Sequence, residues 1–292
     1  MVNTFFFRIF ALLFIAQYNI IMSKKTLGVI ISTYNNPKWL EKNLWGYIFQ
    51  SRKADEIVVA DDGSGEDTRL LIERYRELLP LKHVWHEDKG FRKTTILNKA
   101  IAASTSDYLV FTDQDCVPRH DFLETHDFLA EHGYILSGGY FKLPMSISET
   151  LCYEDVKDGR AFCLSWLRKK GLPLNFKCTK LIQNHTFARF MNTITPTKAT
   201  WNGMNSSGWR EDILRVNGFD ERMQYGGEDR EMGERLFNLG IRSKQIRYSA
   251  ITLHLDHKRP YVNEQAWALN NEIRRETKVH HAVWTSYGIV KR

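Results

Sequence analysis

The sequence predicts an α/β fold: a mostly parallel sheet flanked by helices, followed by a more irregular second half. Three observations carry this. From Leu27 onward, short apolar runs alternate with helical segments of about 10–15 residues, the rhythm of βαβ units. Three of the strands end on polar clusters, Ser32-Thr33-Tyr34, Asp61-Asp62 and Asp113-Gln114-Asp115, at the edge where parallel sheets bind ligands. The composition, 43% hydrophobic and 26% charged over 292 residues, excludes a disordered or collagen-like chain and leaves ample apolar content for a core.

Taken in order, Leu27–Thr33 is an unbroken apolar run, which suits a strand buried on both faces. A helix follows over Pro37–Gln50, with proline acceptable in its first turn. Glu56–Ala60 is a second buried strand running into the turn Asp61-Asp62-Gly63-Ser64. A helix to Leu79, a short strand Lys82–His86, a helix Thr94–Ala103 and a strand Tyr108–Thr112 complete the regular half. Residues 166–200 contain no Asp or Glu but seven cations, Arg168, Lys169, Lys170, Lys177, Lys180, Arg189 and Lys198. The formal charge of the whole chain is +7, so this segment accounts for the entire excess and points to an anionic partner. Helices are expected over Arg210–Val216 and over Asp229–Leu239, the latter stopped by Gly240. A strand over Arg242–Tyr248 or a little beyond then leads to Leu253-His254-Leu255-Asp256-His257. The expected organisation is an apolar extension 1–23, a ligand-binding half 24–165, a second half 166–257 and a helical tail 258–292. Arg8, Gln17 and Asn19 interrupt the apolar stretch Thr4–Ile21, which is marginal for a span of ~20 residues. It is expected to be either an anchor or a stretch upstream of a natural start at Met22. Cys116, Cys152, Cys163 and Cys178 form no C-x-x-C pair and are expected to be reduced thiols.

Asp113-Gln114-Asp115 sets two carboxylates around one residue at a strand's end. Alternation sends both to one side, where like charges are costly unless a cation lies between them. Mg²⁺ or Mn²⁺, shared with substrate phosphates, is the economical answer. Gly226-Gly227-Glu228-Asp229 places a glycine hinge before an acidic helix start. Such acids complement a helix dipole in any protein. Adjacent carboxylates nevertheless diverge, so one can bind a hydroxyl while the other takes its proton as general base. His254 and His257 supply imidazoles, which beside an acidic metal site favour Mn²⁺ over Ca²⁺. Lys89-Gly90-Phe91-Arg92-Lys93 precedes a helix N-terminus, a setting for phosphate. Neither a P-loop nor a glycine-rich dinucleotide turn is present.

Together these pieces resemble an inverting family 2 glycosyltransferase of the GT-A fold. Val29-Ile30-Ile31-Ser32-Thr33-Tyr34-Asn35, Val58-Val59-Ala60-Asp61-Asp62-Gly63-Ser64, Gly90-Phe91-Arg92-Lys93 and Asp113-Gln114-Asp115 carry the resemblance in the first half. The run from Gly203 through Val216-Asn217-Gly218-Phe219-Asp220 to Gly226-Gly227-Glu228-Asp229 is similar to β-1,4-galactosyltransferase-like domains and bacterial chondroitin-type polymerases. The resemblance implies that Thr33, Tyr34 and Asp62 hold the nucleoside, that Arg92 or Lys93 approaches the base or diphosphate, and that Asp113 faces the ribose and donor sugar. It implies Asp115, His254 and Asp113 around Mn²⁺ or Mg²⁺, Asp229 as catalytic base and Glu228 on the acceptor sugar, with Trp201 and Trp209 as stacking platforms. His257 receives no role. The implied partners are a nucleotide-diphosphate sugar donor, UDP-linked by analogy, and a glycan or lipid-linked acceptor. The basic segment 166–200 is expected to face an anionic acceptor or the membrane headgroups around it, and the expected location is cytoplasmic, peripheral to or anchored at the membrane. A sugar-phosphate nucleotidyltransferase would need a basic, glycine-rich loop after the first strand, which Ser32-Thr33-Tyr34-Asn35-Asn36-Pro37 does not supply. A non-catalytic sugar-binding module would tolerate loss of the carboxylates that are all present here. No base-reading motif supports a nucleic-acid partner.

Overall fold

The computed structural model describes residues 25–258 and 264–291; the expectation for residues 1–23 lies outside them. β1 (Leu27–Thr33), β2 (Glu56–Asp61), β3 (Leu81–Trp85) and β4 (Tyr108–Asp113) are parallel, and all seven residues of β1 are buried. That burial explains why β1 has no polar alternation. Its side chains divide by parity: Leu27, Val29 and Ile31 pack with Leu40, Leu44 and Tyr47 on one face, and Ile30 packs with Ile96, Leu97 and Ala100 on the other. The helices responsible are α1 (Pro37–Ile48), capped by Asn36, and α3 (Lys93–Ala103), while α2 (Glu66–Tyr75) follows β2.

The sheet continues beyond β4 with β8 (Ser206–Trp209), β6 (Tyr134–Ser137) and β9 (Arg242–Gln245), in the order β3-β2-β1-β4-β8-β6-β9. β8 runs antiparallel to both of its neighbours. Its sequence, Ser-Ser-Gly-Trp, carries no apolar period, and no strand was legible there. The strand expected over Arg242–Tyr248 is divided. β9 ends at Gln245, the chain turns, and β10 (Ile251–His254) enters a second sheet between β5 (Cys116–Pro118) and β7 (Gly139–Lys142). Asn205, fully buried, joins the sheets by donating from Nδ2 to Gly139 O at 2.7 Å and Ala250 O at 3.0 Å.

Helix α4 (Phe122–Leu129) and the short helices α5 (Met145–Thr150), α6 (Tyr153–Lys157) and α7 (Leu164–Lys169) precede a 3₁₀ turn Phe176–Leu181 and α8 (His185–Ile194). α9 (Arg210–Arg215) and α10 (Glu228–Asn238) follow, and the tail forms α11 (Glu264–Val279), which lies on α10. All four cysteines are free thiols. No described helix is long and apolar enough to cross a membrane.

Candidate active site

The parallel strands end side by side, and the polar residues at their ends are tied together. Backbone Asp62 N donates to Thr33 O and Gln114 N to Ser32 O. Gln114, unassigned by sequence, turns back and accepts from Thr33 Oγ1 at 2.5 Å, while its amide donates to Tyr34 O at 3.2 Å. Gly63 sits at φ +100°, and a Cβ there would lie 2.6 Å from the Asp88 backbone, so the turn after β2 requires glycine. Asp62 accepts from Arg92 N at 2.9 Å and meets His86 Nε2 at 2.7 Å. Burial raises its pKa, against the opposing pull of Arg92 and His86. Each of its oxygens keeps a second lone pair. Tyr34, about half exposed, donates to Asp88 at 2.9 Å. The Arg92 guanidinium donates to Glu87 O at 2.8 Å.

The two carboxylates of Asp113-Gln114-Asp115 do not share one side. β4 ends at Asp113, the chain turns through Gln114 and Asp115, and β5 begins at Cys116. Asp113 accepts from Ser32 Oγ and forms an ion pair with Lys93 Nζ at 2.7 Å. Asp115 points to the second sheet, with His257 Nε2 at 2.8 Å and His254 Nε2 at 3.3 Å. Burial opposes ionisation of Asp115, but the His257 contact and the charge of His254 outweigh it and hold its pKa below the usual range. Among the described residues, Asp115, Cys116 and His254 form a group that could hold a cation, their ligand atoms within 4.8 Å of one another. Asp113, expected among the ligands, is instead bound to Lys93. Burial pushes the Cys116 thiol well above its ordinary pKa, so it stays protonated at neutral pH. The carboxylate and imidazole of this group suit Mn²⁺ and tolerate Mg²⁺. The H-x-x-H spacing after β10 was the available signal for His257.

Asp229 and Glu228 open α10 near Lys93, the partner of Asp113. Asp229 Oδ2 accepts from Gly203 N at 2.8 Å, while Oδ1 is buried with no hydrogen-bond partner. Burial first, then the charge of Glu228, pushes the Asp229 pKa up to about 7, with Lys93 acting in the opposite sense. Burial lowers the Lys93 pKa, but Asp113, Asp229 and Glu228 around it hold it far above normal. One ammonium thus sits among three carboxylates contributed by β4 and α10. Glu228 Oε2 accepts from Gly226 N at 2.8 Å.

Two expected residues lie elsewhere. Trp201 is fully buried, 5.1 Å edge-on to Phe111, so it is a core residue and offers no face to an acceptor. Trp209 pairs in register with Tyr108, at the start of β4, about 17 Å along the strand from its active end. There it stacks on His132 at 3.7 Å. Both were read as platforms because an aromatic residue near a polar run looks the same in the core and in a cleft. Conversely, α11 contributes residues that the sequence did not single out. Asn270, buried, donates to Gln224 O and Gly226 O, both at 3.0 Å, and the Trp267 ring lies against Gly226.

Residues 28–141 match the model of "Glycosyl transferase family 2", and residues 186–258 match that of "N-terminal domain of galactosyltransferase". Together these regions take in more than half of the chain. Among curated proteins, validoxylamine A glucosyltransferase of Streptomyces hygroscopicus subsp. jinggangensis is 26% identical over 234 residues, covering 74% of this chain and 52% of that protein. Chondroitin synthase of Escherichia coli is 27% identical over 250 residues, covering 75% of this chain and 33% of that one. The chain therefore spans about half or less of the length of these relatives. Among solved structures, the mannosyltransferase PcManGT from Pyrobaculum calidifontis, in complex with GDP-Man and Mn²⁺, superposes with a TM-score of 0.54 at 21% identity, covering 88% of this chain and 63% of that one. S. aureus TarS 1–349 with UDP-GlcNAc gives 0.57 at 17% identity, covering 85% and 65%. At such identities the likeness establishes the fold, which is GT-A.

Proposed function

We propose, since the chain belongs to glycosyltransferase family 2, that it moves a hexose or N-acetylhexosamine from a nucleotide-diphosphate sugar to a hydroxyl of a glycan or lipid-linked acceptor, with inversion, in surface polysaccharide biosynthesis. The observation that carries this reading is Asp229: a buried carboxylate with one oxygen held by Gly203 and the other without a partner, raised to about 7. A base of that strength is suited to taking a hydroxyl proton near neutral pH.

In this reading Thr33, Tyr34 and Asp62 line the nucleoside side, and Asp113 faces the ribose and donor sugar. Asp115 and His254, with His257 behind Asp115, would hold Mn²⁺ or Mg²⁺. When bound, the ion would neutralise the departing diphosphate. Lys93, its charge secured by three carboxylates, adds cationic character at the same end of the sheet. The Gly226 amide orients Glu228, which holds the acceptor sugar. Asp229 Oδ1 accepts the acceptor's hydroxyl proton as that oxygen attacks the anomeric carbon from the face opposite the leaving group. One displacement with one base gives inversion. UDP is the proposed nucleotide, TarS with UDP-GlcNAc being among the similar structures. The proposed location is cytoplasmic and peripheral to the membrane.

The experiment separates base from metal. Asp229→Asn should lower transfer by roughly 10²–10⁴-fold, the usual weight of general-base catalysis, while UDP-sugar with Mn²⁺ still raises the melting temperature. Asp115→Ala should lose transfer and the Mn²⁺-dependent part of that shift together. Wild-type turnover in Asp229→Asn would refute the base assignment, and metal-independent activity in Asp115→Ala would refute the metal assignment.

A further inference from the structure

The acid-free segment 166–200 takes no part in the cleft chemistry above, yet it has an unusual surface. Helix α8 is amphipathic beyond what the fold uses. Ala188 and Met191 pack inward on Tyr248, whereas Phe190 and Ile194, four residues apart and hence neighbours on one side of the helix, are 57% and 53% exposed. The 3₁₀ turn Phe176–Leu181 meets the same tyrosine, Thr179 Oγ1 lying 3.5 Å from Tyr248 OH. It presents Phe176 at 71% exposure, with Leu174 just before it at 62%. Cys178 and Leu181 anchor the turn from below in the core. Two rigidly seated elements therefore hold four large apolar side chains in water.

The charge around them has one sign. Lys169, Lys170, Lys177, Arg189 and Lys198 are exposed, and no ion pair among the described residues involves any cation of 166–200. Elsewhere exposed cations commonly find carboxylates, as Lys142 does with Asp256 and Arg160 with Asp155. Apolar side chains that penetrate, ringed by cations without counter-charges, complement a surface that is anionic outside and apolar beneath. A second copy of the chain would bring like charges together on such a face.

We propose that the face formed by Leu174, Phe176, Phe190 and Ile194, with Lys177 and Arg189 beside them, docks on an anionic lipid bilayer. The docking depends on none of the cleft residues, so it stands or falls separately from the transfer reaction. It would hold the cleft at the surface where lipid-linked or membrane-extruded acceptors are found.

The test uses the full chain with phosphatidylcholine vesicles and with vesicles in which part of the phosphatidylcholine is replaced by phosphatidylglycerol. Variants of this face leave the residues before Met22 unchanged, so the loss they cause in the phosphatidylglycerol-dependent increment isolates it. Lys169→Gln/Lys170→Gln/Lys177→Gln should reduce that increment roughly 100-fold, at about fivefold for each charge. Phe176→Ser/Phe190→Ser, which keeps every charge, should weaken binding to anionic vesicles comparably. Both variants should keep the wild-type melting temperature, because the altered side chains are exposed. Equal binding of wild type to the two vesicle types would overturn the proposal. So would undiminished anionic binding by the variants, or a sedimentation mass showing the face closed in a dimer that the Phe variant dissociates.

Discussion

Lys93 is the residue on which the electrostatics of the cleft turns. Its ammonium is 2.7 Å from Asp113 and also faces Asp229 and Glu228. It keeps the carboxylate cluster from discharging itself: without it, Asp229 would feel burial, Glu228 and Asp113, all of which raise its pKa. The sign for catalysis is direct. A base with a pKa of about 7 is unavailable below that pH, so kcat/KM should rise through pH 7 and level off above it. Lys93→Met removes the charge that, with the Gly203 amide, holds the Asp229 pKa down, and should move the acid limb to higher pH, beyond any fall in the plateau. An unmoved limb in a pH–rate profile would mean that another group titrates. Asp113 and Asp229 were individually visible in the sequence because each ends a motif. Their meeting through Lys93 was not, since β4 and α10 are more than a hundred residues apart and nothing local encodes which cation lies between them.

At the scale of elements, α11 is a brace for the loop that delivers the acceptor-side acids. Asn270 spends its amide on two carbonyls of that loop, and Gly226 lies so close to the Trp267 ring that a Cβ would come within 2.7 Å of it. Asn270→Ala removes the donor from two part-buried carbonyls, at about 1 kcal/mol. It should raise the acceptor KM more than the donor KM, because the loop orients Glu228 and not the nucleotide. Equal effects on both substrates in initial-rate kinetics would assign Asn270 to general stability. The first four strands and their helices were legible because a strand buried on both faces is written as an unbroken apolar run and its helix as a 3.6-residue stripe. β8 was not, since Ser-Ser-Gly-Trp gains its place from the neighbours that pair with it. The division of β9 from β10 was hidden for the same reason: the residues between them alternate like a strand, buried Ile246, Tyr248 and Ala250 with Arg247 and Ser249 between, so the pattern marks no break. Trp201 misled in the opposite direction, its exposure being decided by Phe111 and Gly233, both remote in sequence.

The molecule as a whole depends on the large and small sheets staying in register, since the first carries Asp113 and the second carries His254. The join is a buried polar network. Asn205, next to β8 of the large sheet, donates to Gly139 and Ala250 on the small-sheet side and meets His126 Nε2 at 3.0 Å, and His126 Nδ1 lies 2.7 Å from Ser207 Oγ, which in turn meets Tyr108 OH at 2.8 Å. Burial pushes the His126 pKa down to about 4, so the imidazole is neutral in the folded protein. In the unfolded chain it titrates near 6.5. Between these values the unfolded state binds a proton that the folded state excludes. The stabilisation is therefore complete above about pH 6.5 and is lost as the pH falls toward 4, amounting to about 3 kcal/mol in full. Carboxylates titrate across the lower part of this window, so the informative quantity is a difference between proteins. His126→Gln retains an amide for Asn205 or Ser207 but no titrating group, and its urea midpoint should fall less than the wild type's between pH 7.5 and pH 5. Parallel losses would mean that His126 is not the acid-sensitive element. The expected difference would place the pH limit of the fold at the seam between the sheets, where loss of register separates Asp113 from the Asp115–His254 pair before either motif is itself altered.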